Sequence, residues 1–381
     1  KINLYFNGCN LKMTYKMINE CYEKAKYVIR QCSTKHGLFA SAGEHGYNEI
    51  WARDSMISFL GASLVKNASF KYTFRQSLAI LSDNQSKNGQ IPNAVDKFSK
   101  RKPHVDFASI DSSLWYIIGH YIYRKRYNDN SLFEKYKKNV ERTLLWLRCQ
   151  DTGETGMLTQ LPTTDWQDAF PHKYGYTINT QALYYKVLTL TGKIEDAKRL
   201  RFIANNYGDK KLWNGRFYVP YRWKNHNKYQ EIGDWFDSLG NLLAIVFDLA
   251  DKQKAEKIIS YVEKNKINMP YPVKAIYPPI KKGSKHWQDY FEDCGAKDTY
   301  HYLNAGIWAF IGGFYVISLI KLKKFGKAEK ELEKVAEANL NGNFPEWINP
   351  ITKEHFGKLQ AWNAGMYILA YESLKKRKVL I

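Results

Sequence analysis

Apolar residues recur every three or four positions in segment after segment of this chain, whereas the strict alternation of a half-buried strand is scarce. The pattern predicts twelve helices, over about 12–34, 54–66, 70–87, 108–127, 130–149, 177–191, 194–206, 236–250, 252–264, 303–321, 325–340 and 359–375. The links between them alternate in length. They are short within a pair, as at "TGK" (191–193) and around Asp251, and long between pairs, as at 87–108, 149–177, 206–236, 264–303 and 340–359. Segments 54–66, 108–127, 236–250 and 303–321 are apolar nearly all round, while 130–149, 252–264 and 325–340 carry lysine and glutamate on one face. Six inner–outer pairs of this kind predict an all-α (α/α)6 toroid, closed on itself, with long loops on one face. An open solenoid would need polar terminal caps and a tighter repeat.

Polar residues stand at or just before each predicted inner helix. They are Asp54 in "WARDS", Asp111 in "SIDSSLW", Asp168 in "TDWQDAF", Asp234 and Asp237 in "GDWFDSLGN", His301 and Asn304 in "YHYLNAGIW", and Glu346 in "FPEWINP". The steps from Asp54 to Asp111 and from Asp111 to Asp168 are both 57 residues, followed by 69 to Asp237 and 67 to Asn304. Inner helices of a toroid run parallel, so these positions converge on one mouth. Ordinary capping explains an Asp at any single helix start, where it contributes about 1 kcal/mol. Capping does not call for tryptophan, yet Trp51, Trp166 and Trp347 stand beside these groups, and a tryptophan recurs near almost every one. Indole faces cover the C–H faces of a sugar ring while carboxylates and amides take its hydroxyls. The ring of motifs therefore points to carbohydrate.

Cleaving a glycosidic bond takes one protonated carboxyl to donate to the leaving oxygen and one carboxylate to activate water or attack carbon. By spacing alone Asp54, Asp111, Asp165, Asp168, Asp234, Asp237 and Glu346 are all candidates. Arg53 beside Asp54 is expected to hold that carboxylate ionised. Trp166 and "AFPH" give Asp168 an aromatic setting, and Phe344, Pro345, Trp347 and Pro350 give Glu346 a stiff, water-poor one.

At 381 residues, 44% apolar and 15% aromatic, the chain can bury a large core. It is expected to form a single catalytic unit over 1–381, with 1–11 as an N-terminal extension. No apolar run reaches membrane-spanning length, and the opening residues lack the order of a signal peptide. Five cysteines, an odd number without Cys-x-x-Cys spacing, read as reduced thiols of a cytoplasmic protein. The net charge of +21 comes from lysines scattered among glutamates on predicted outer faces, so no specific nucleic-acid partner is expected. The nine histidines show no His-x-x-x-His pair, so neither metal nor other cofactor is expected.

Taken in order, "YNEIWARDSMIS", "NGQIPN", "IDSSLWYI", "TDWQDAF…YGYTINTQALYY", "FDSLGNLLAI", "YLNAGIWAFIGGFYV" and "FPEWINP…GKLQAWNAGMYILAY" resemble two related groups of (α/α)6 glycosidases, over roughly residues 45 to 375. These are the amylo-α-1,6-glucosidase domain of glycogen debranching enzymes and the alkaline/neutral invertases. The resemblance implies that Asp168 is the catalytic acid, that Glu346 is the base and that the anomeric centre inverts. It further implies that Arg53 and Asp54 bind the sugar, helped by Trp51, Asp111, Gln181 and Asn304. Trp-Gln-Asp-Ala around Asp168 is nearer the debranching pattern Trp-Met-Asp-Ala than the invertase pattern Met-Ile-Asp-Arg. The expected substrate is accordingly an α-glucoside or oligosaccharide, with sucrose, or sugar binding without cleavage, as alternatives.

Overall fold

The computed structural model describes residues 8–43, 46–96, 104–226 and 229–381. Thirteen α-helices occur among these residues. In chain order they begin with α1 (Gly8–Cys32), α2 (Ala52–Ala62), α3 (Ala68–Asp83), α4 (Asp111–Tyr127), α5 (Ser131–Lys135) and α6 (Lys137–Arg148). There follow α7 (Ile178–Leu190), α8 (Ile194–Asn206), α9 (Ser238–Val246) and α10 (Lys252–Lys264). The last three are α11 (Ala309–Lys321), α12 (Phe325–Asn341) and α13 (Ala361–Lys375).

Burial sorts these helices into two layers. Every residue of α2 and α9, and all of α11 but its last lysine, is buried, as the all-round apolar pattern requires of an inner position. By contrast α10 buries only Ala255, Ile258, Ile259 and Val262, a single stripe at helical spacing. The inner helices close a ring: α2 packs on α4, α4 on α7, α7 on α9, α9 on α11, α11 on α13, and α13 returns to α2. Outside them, α3 covers α2 and α4, α6 covers α4, α8 covers α7, α12 covers α11 and α13, and α1 lies on α12 and α13. Tyr261 of α10 packs on Phe236 at the foot of α9. The architecture is the expected all-α (α/α)6 toroid, around a main core that runs from Ile18 to Ala370.

The ring closes where α2 meets α13. A Cβ on Gly61 would lie 1.8 Å from the Gly365 carbonyl oxygen, and one on Gly365 would lie 2.2 Å from that of Ser58. Only glycine at both positions lets the two backbones touch. At the N-terminal mouth the loops are stitched by very short antiparallel pairings. Ile50–Trp51 pairs with Ala94–Asp96, Phe236–Asp237 with Ile276–Tyr277, and Trp347–Ile348 with His355–Phe356. Single bridges join Lys274 to Ile307 and Ile307 to Ile348. Pairings of two or three residues are too short to leave a period-two trace in the sequence.

Several predicted helices differ in their bounds, 236–250 shortening to Ser238–Val246, and two differ by a break or a late start. The segment 130–149 breaks at Tyr136, which leaves helical geometry, buries its ring and bonds its hydroxyl to Asp83 at 3.0 Å. The helix predicted over 303–321 starts only at Ala309, because Tyr302 and Ala305 hold left-handed φ values of 46° and 70°. Of the predicted extension 1–11, residues 1–7 lie outside the described residues and 8–11 belong to α1.

The glycine contact gives a test. Gly61→Ala should destabilise by about 2 kcal/mol through overpacking, although alanine favours a helix by about 1 kcal/mol. Gly326→Ala in α12, where an added Cβ meets nothing within 4 Å, should be neutral or stabilising. Urea unfolding that showed gains at both sites would mean the α2–α13 contact is looser than described.

Candidate active site

Where the inner helices begin, Trp51, Arg53, Asp54, Trp166, Asp168 and Glu346 line one cleft together with Tyr47, Tyr302, Trp308, Gln360 and Trp362. Trp51 ends the strand leading into α2, and Arg53 and Asp54 lie in that helix's first turn. Asp168 projects from the loop before α7, and Tyr302 and Trp308 from the loop before α11. Glu346 hangs just before a two-residue strand, its N–H donating to the Phe356 carbonyl at 2.7 Å. Beneath it Gly357 has φ 68°, and a Cβ there would stand 2.8 Å from that of Glu346. The aromatic wall is rigid: Phe310 stacks on Trp362 at 4.2 Å, and Trp166 meets Trp308 edge-on at 5.6 Å. The indole N–H groups of Trp166 and Trp362 are buried without a protein partner.

Three carboxyls share this cleft, Asp54 buried, Glu346 half-buried and Asp168 exposed at its opening, with Arg53 as the one guanidinium among the described lining residues. Arg53 is committed elsewhere, its Nε and one Nη donating to the two oxygens of Asp111 at 2.8 and 3.0 Å and the same Nη reaching Ser109. Burial consequently outweighs the downward pull expected of Arg53 at Asp54 and pushes that carboxyl up to about 6, which still leaves it mostly ionised at neutral pH. Burial likewise raises Asp168, against the pull of Arg53. Glu346 goes up to about 7, first through burial and then through repulsion by Asp54 and Asp168. The Tyr47 hydroxyl, 3.4 Å from both Glu346 oxygens, works in the opposite direction.

Six residues expected to touch sugar are placed otherwise. Asp111 is fully buried and neutralises Arg53. The Gln181 amide is consumed by the backbone of Leu158, at 2.8 and 3.1 Å. Asn304 bonds to the backbone of Ile280 and Ala296, which pins the irregular loop before α11. Asp237 caps α9 through the Gly240 N–H and pairs with Lys173. His301 bonds to the Gly295 carbonyl and packs on Trp347, which itself stacks on Phe356 at 3.9 Å rather than facing the cleft. Of the carboxylates without an assigned role, Asp165 is buried beside Lys173, while Asp234 lies exposed on a loop with Lys285 and His286.

Ala40, Tyr47, Tyr302, Trp308, Gln360 and Trp362 are the lining residues the motifs did not single out. Trp308 and Trp362 lie inside quoted motifs, but no role attaches to them there. Tyr47 sits four residues before Trp51, where no periodicity marks it.

The comparisons with known proteins agree with this architecture. A family model described as amylo-alpha-1,6-glucosidase matches residues 22–158, and one described as alkaline and neutral invertase matches residues 231–377. A rice (Oryza sativa subsp. japonica) protein named neutral/alkaline invertase 1, mitochondrial, is 24% identical over 322 residues, covering 68% of this chain. The chain spans 50% of that relative's length. A mannosylglycerate hydrolase from the bacterium Thermus thermophilus, solved with glucose, superposes with a TM-score of 0.69 at 13% identity, over 92% of this chain and all of that one. A further glycosidase structure matches with a TM-score of 0.69 at 14% identity over 97% and 99% of the two chains. The chain is thus similar to (α/α)6 glycoside hydrolases in fold and in both halves of its sequence. Trp51, Arg53 and Asp54 fall within the first matched segment and Tyr302 and Glu346 within the second, while Asp168 lies between them.

The electrostatics predict shifts of opposite sign at Glu346. Asp54→Asn removes a like charge and should lower the Glu346 pKa, whereas Tyr47→Phe removes a hydrogen bond to the carboxylate and should raise it. Carboxyl 13C NMR titration of the two variants reads both. Shifts of the same sign would show that Glu346 does not sense these neighbours.

Proposed function

We propose that this cleft hydrolyses an α-glucosidic bond with inversion, Asp168 acting as general acid and Glu346 as general base, and that residues 1–381 serve as one catalytic unit. The observation that supports it most is the meeting of Asp168 and Glu346, 178 residues apart in sequence, in one tryptophan-walled cleft, where partial desolvation raises both carboxyls while Asp168 stays open to the side from which a substrate enters. A donor must hold its proton near neutrality, and desolvation is the means by which a carboxyl does so. The base must be ionised at the same moment. One proton held by the pair satisfies both needs: when Asp168 carries it, its repulsion of Glu346 disappears and the glutamate ionises more readily. Glu346 then takes a proton from a water that attacks the anomeric carbon, while Asp168 protonates the departing oxygen. Such a pair stands roughly 6.5–9.5 Å apart, leaving room for the water. Asp54 binds hydroxyls, and the aromatic wall covers the ring.

The amylo-alpha-1,6-glucosidase match and the Trp-Gln-Asp-Ala sequence favour an α-glucosidic oligosaccharide substrate. The invertase match over 231–377, with the rice relative, favours sucrose as the second reading. Among the described residues no helix is long and apolar enough to cross a membrane. Cys21, Cys32, Cys149 and Cys294 are free thiols, which suits a reducing, cytoplasmic setting.

Product NMR on isomaltose, panose, a branched limit dextrin and sucrose should show turnover of an α-glucoside with the β-anomer of glucose appearing first. Asp168→Asn and Glu346→Gln should each lower kcat by about 10²–10⁴-fold while changing KM little. Sugar binding without turnover by the wild type would make this a binding protein instead, and initial release of the α-anomer would rule out inversion.

A further inference from the structure

The loop that carries Asp168 is closed by an ion pair between its two ends. Asp165 lies three residues before Asp168 and Lys173 five residues after it, and the Lys173 ammonium stands 2.9 Å from Asp165 Oδ2. The same ammonium donates to Asp237 Oδ2 at 2.9 Å. All three side chains are fully buried. Burial alone would discharge Lys173, but the two carboxylates outweigh it and hold the ammonium charged. Each carboxylate is also fixed through its other oxygen. Asp165 Oδ1 accepts the Gln167 N–H at 2.9 Å, inside the loop, and Asp237 Oδ1 accepts the Gly240 N–H at 3.0 Å, capping α9. Lys173 therefore ties both ends of an irregular loop to the rigid start of an inner helix.

We infer that Lys173 is a positioning residue for the proton donor: by clasping Asp165 and anchoring to Asp237, it fixes where the Asp168 carboxyl stands over the leaving oxygen. A buried ion triad is a costly way to stabilise a fold, because apolar residues of similar volume do as well or better. Its place here is explained by directionality, since one ammonium must satisfy two partners at once and permits little slack in the loop between them. A displacement near 1 Å is enough to cost about 10²-fold in a reaction that depends on alignment. The inference rests on Asp168 being the acid.

The test separates placement of the acid from general disorder of the cleft. Lys173→Met leaves two buried carboxylates facing each other, a change that can by itself prevent folding. A neutral variant combining Lys173→Met, Asp165→Asn and Asp237→Asn avoids that, since Asn still caps a helix. Both are assayed on isomaltose, whose leaving oxygen needs a proton, and on α-glucosyl fluoride, whose departing fluoride needs little acid help. On isomaltose kcat should fall by about 10²-fold or more, with KM little changed, while turnover of the fluoride falls less than about tenfold. A parallel fall on both substrates, or no fall on either, overturns the clasp alone. If the wild type hydrolyses neither substrate, the assignment of Asp168 fails and the clasp fails with it.

Discussion

Everything at the mouth depends on how closely the inner helices approach one another. Side chains at the N-terminal ends of parallel helices meet over a common cleft only if the ring is tight, and the tightest joint lies between Gly61 and Gly365. There α2 and α13 touch backbone to backbone, which sets the position of Arg53 and Asp54 on one side and Gln360 and Trp362 on the other. The energy of closure comes from side chains buried all round the inner helices. The glycines decide how far that burial can draw the ring in.

A tight ring in turn creates an electrostatic problem. Asp54, Asp168 and Glu346 are crowded into one cleft, Asp54 buried, Glu346 half-buried and Asp168 at the opening, and Arg53, the guanidinium beside them, is spent on Asp111. Two features moderate the crowding without removing it. The N-termini of the inner helices present their partial positive charge to this end of the toroid, and the Tyr47 hydroxyl leans on Glu346. The residual strain takes the form of raised pKa values, the condition under which a carboxyl can hand over a proton near neutrality.

The architecture was legible in the sequence because it rests on period and composition. All-round apolar segments such as 303–321 and striped ones such as 252–264 sort into inner and outer layers unaided, and the resulting ring places Trp51, Asp54, Trp166, Asp168 and Glu346 together. What spacing could not separate was a polar group facing the cleft from one facing the scaffold. Asp111, Gln181, Asp237 and Asn304 recur at the correct interval, yet each is consumed by a guanidinium, an ammonium or a backbone group brought in by the fold. Arg53 apart, which lies in α2, these partners come from loops such as 158–173 and 280–296, whose path leaves no periodic mark. Tyr47 and Gln360 were missed for the same reason, since only the folded loops bring them to the cleft.

The joint between Gly61 and Gly365 spans 304 residues of sequence. Contacts that distant form late, because the chain must first surrender the entropy of a very long loop. During synthesis, helices α2 to α11 can stack into an unfinished horseshoe, but one wall of the cleft is missing until Trp362 has left the ribosome. The cleft is therefore incomplete until α13 has been made. Until then the apolar flanks of α2 and α11 stand uncovered, which makes the partly synthesised chain the form in greatest need of chaperone protection.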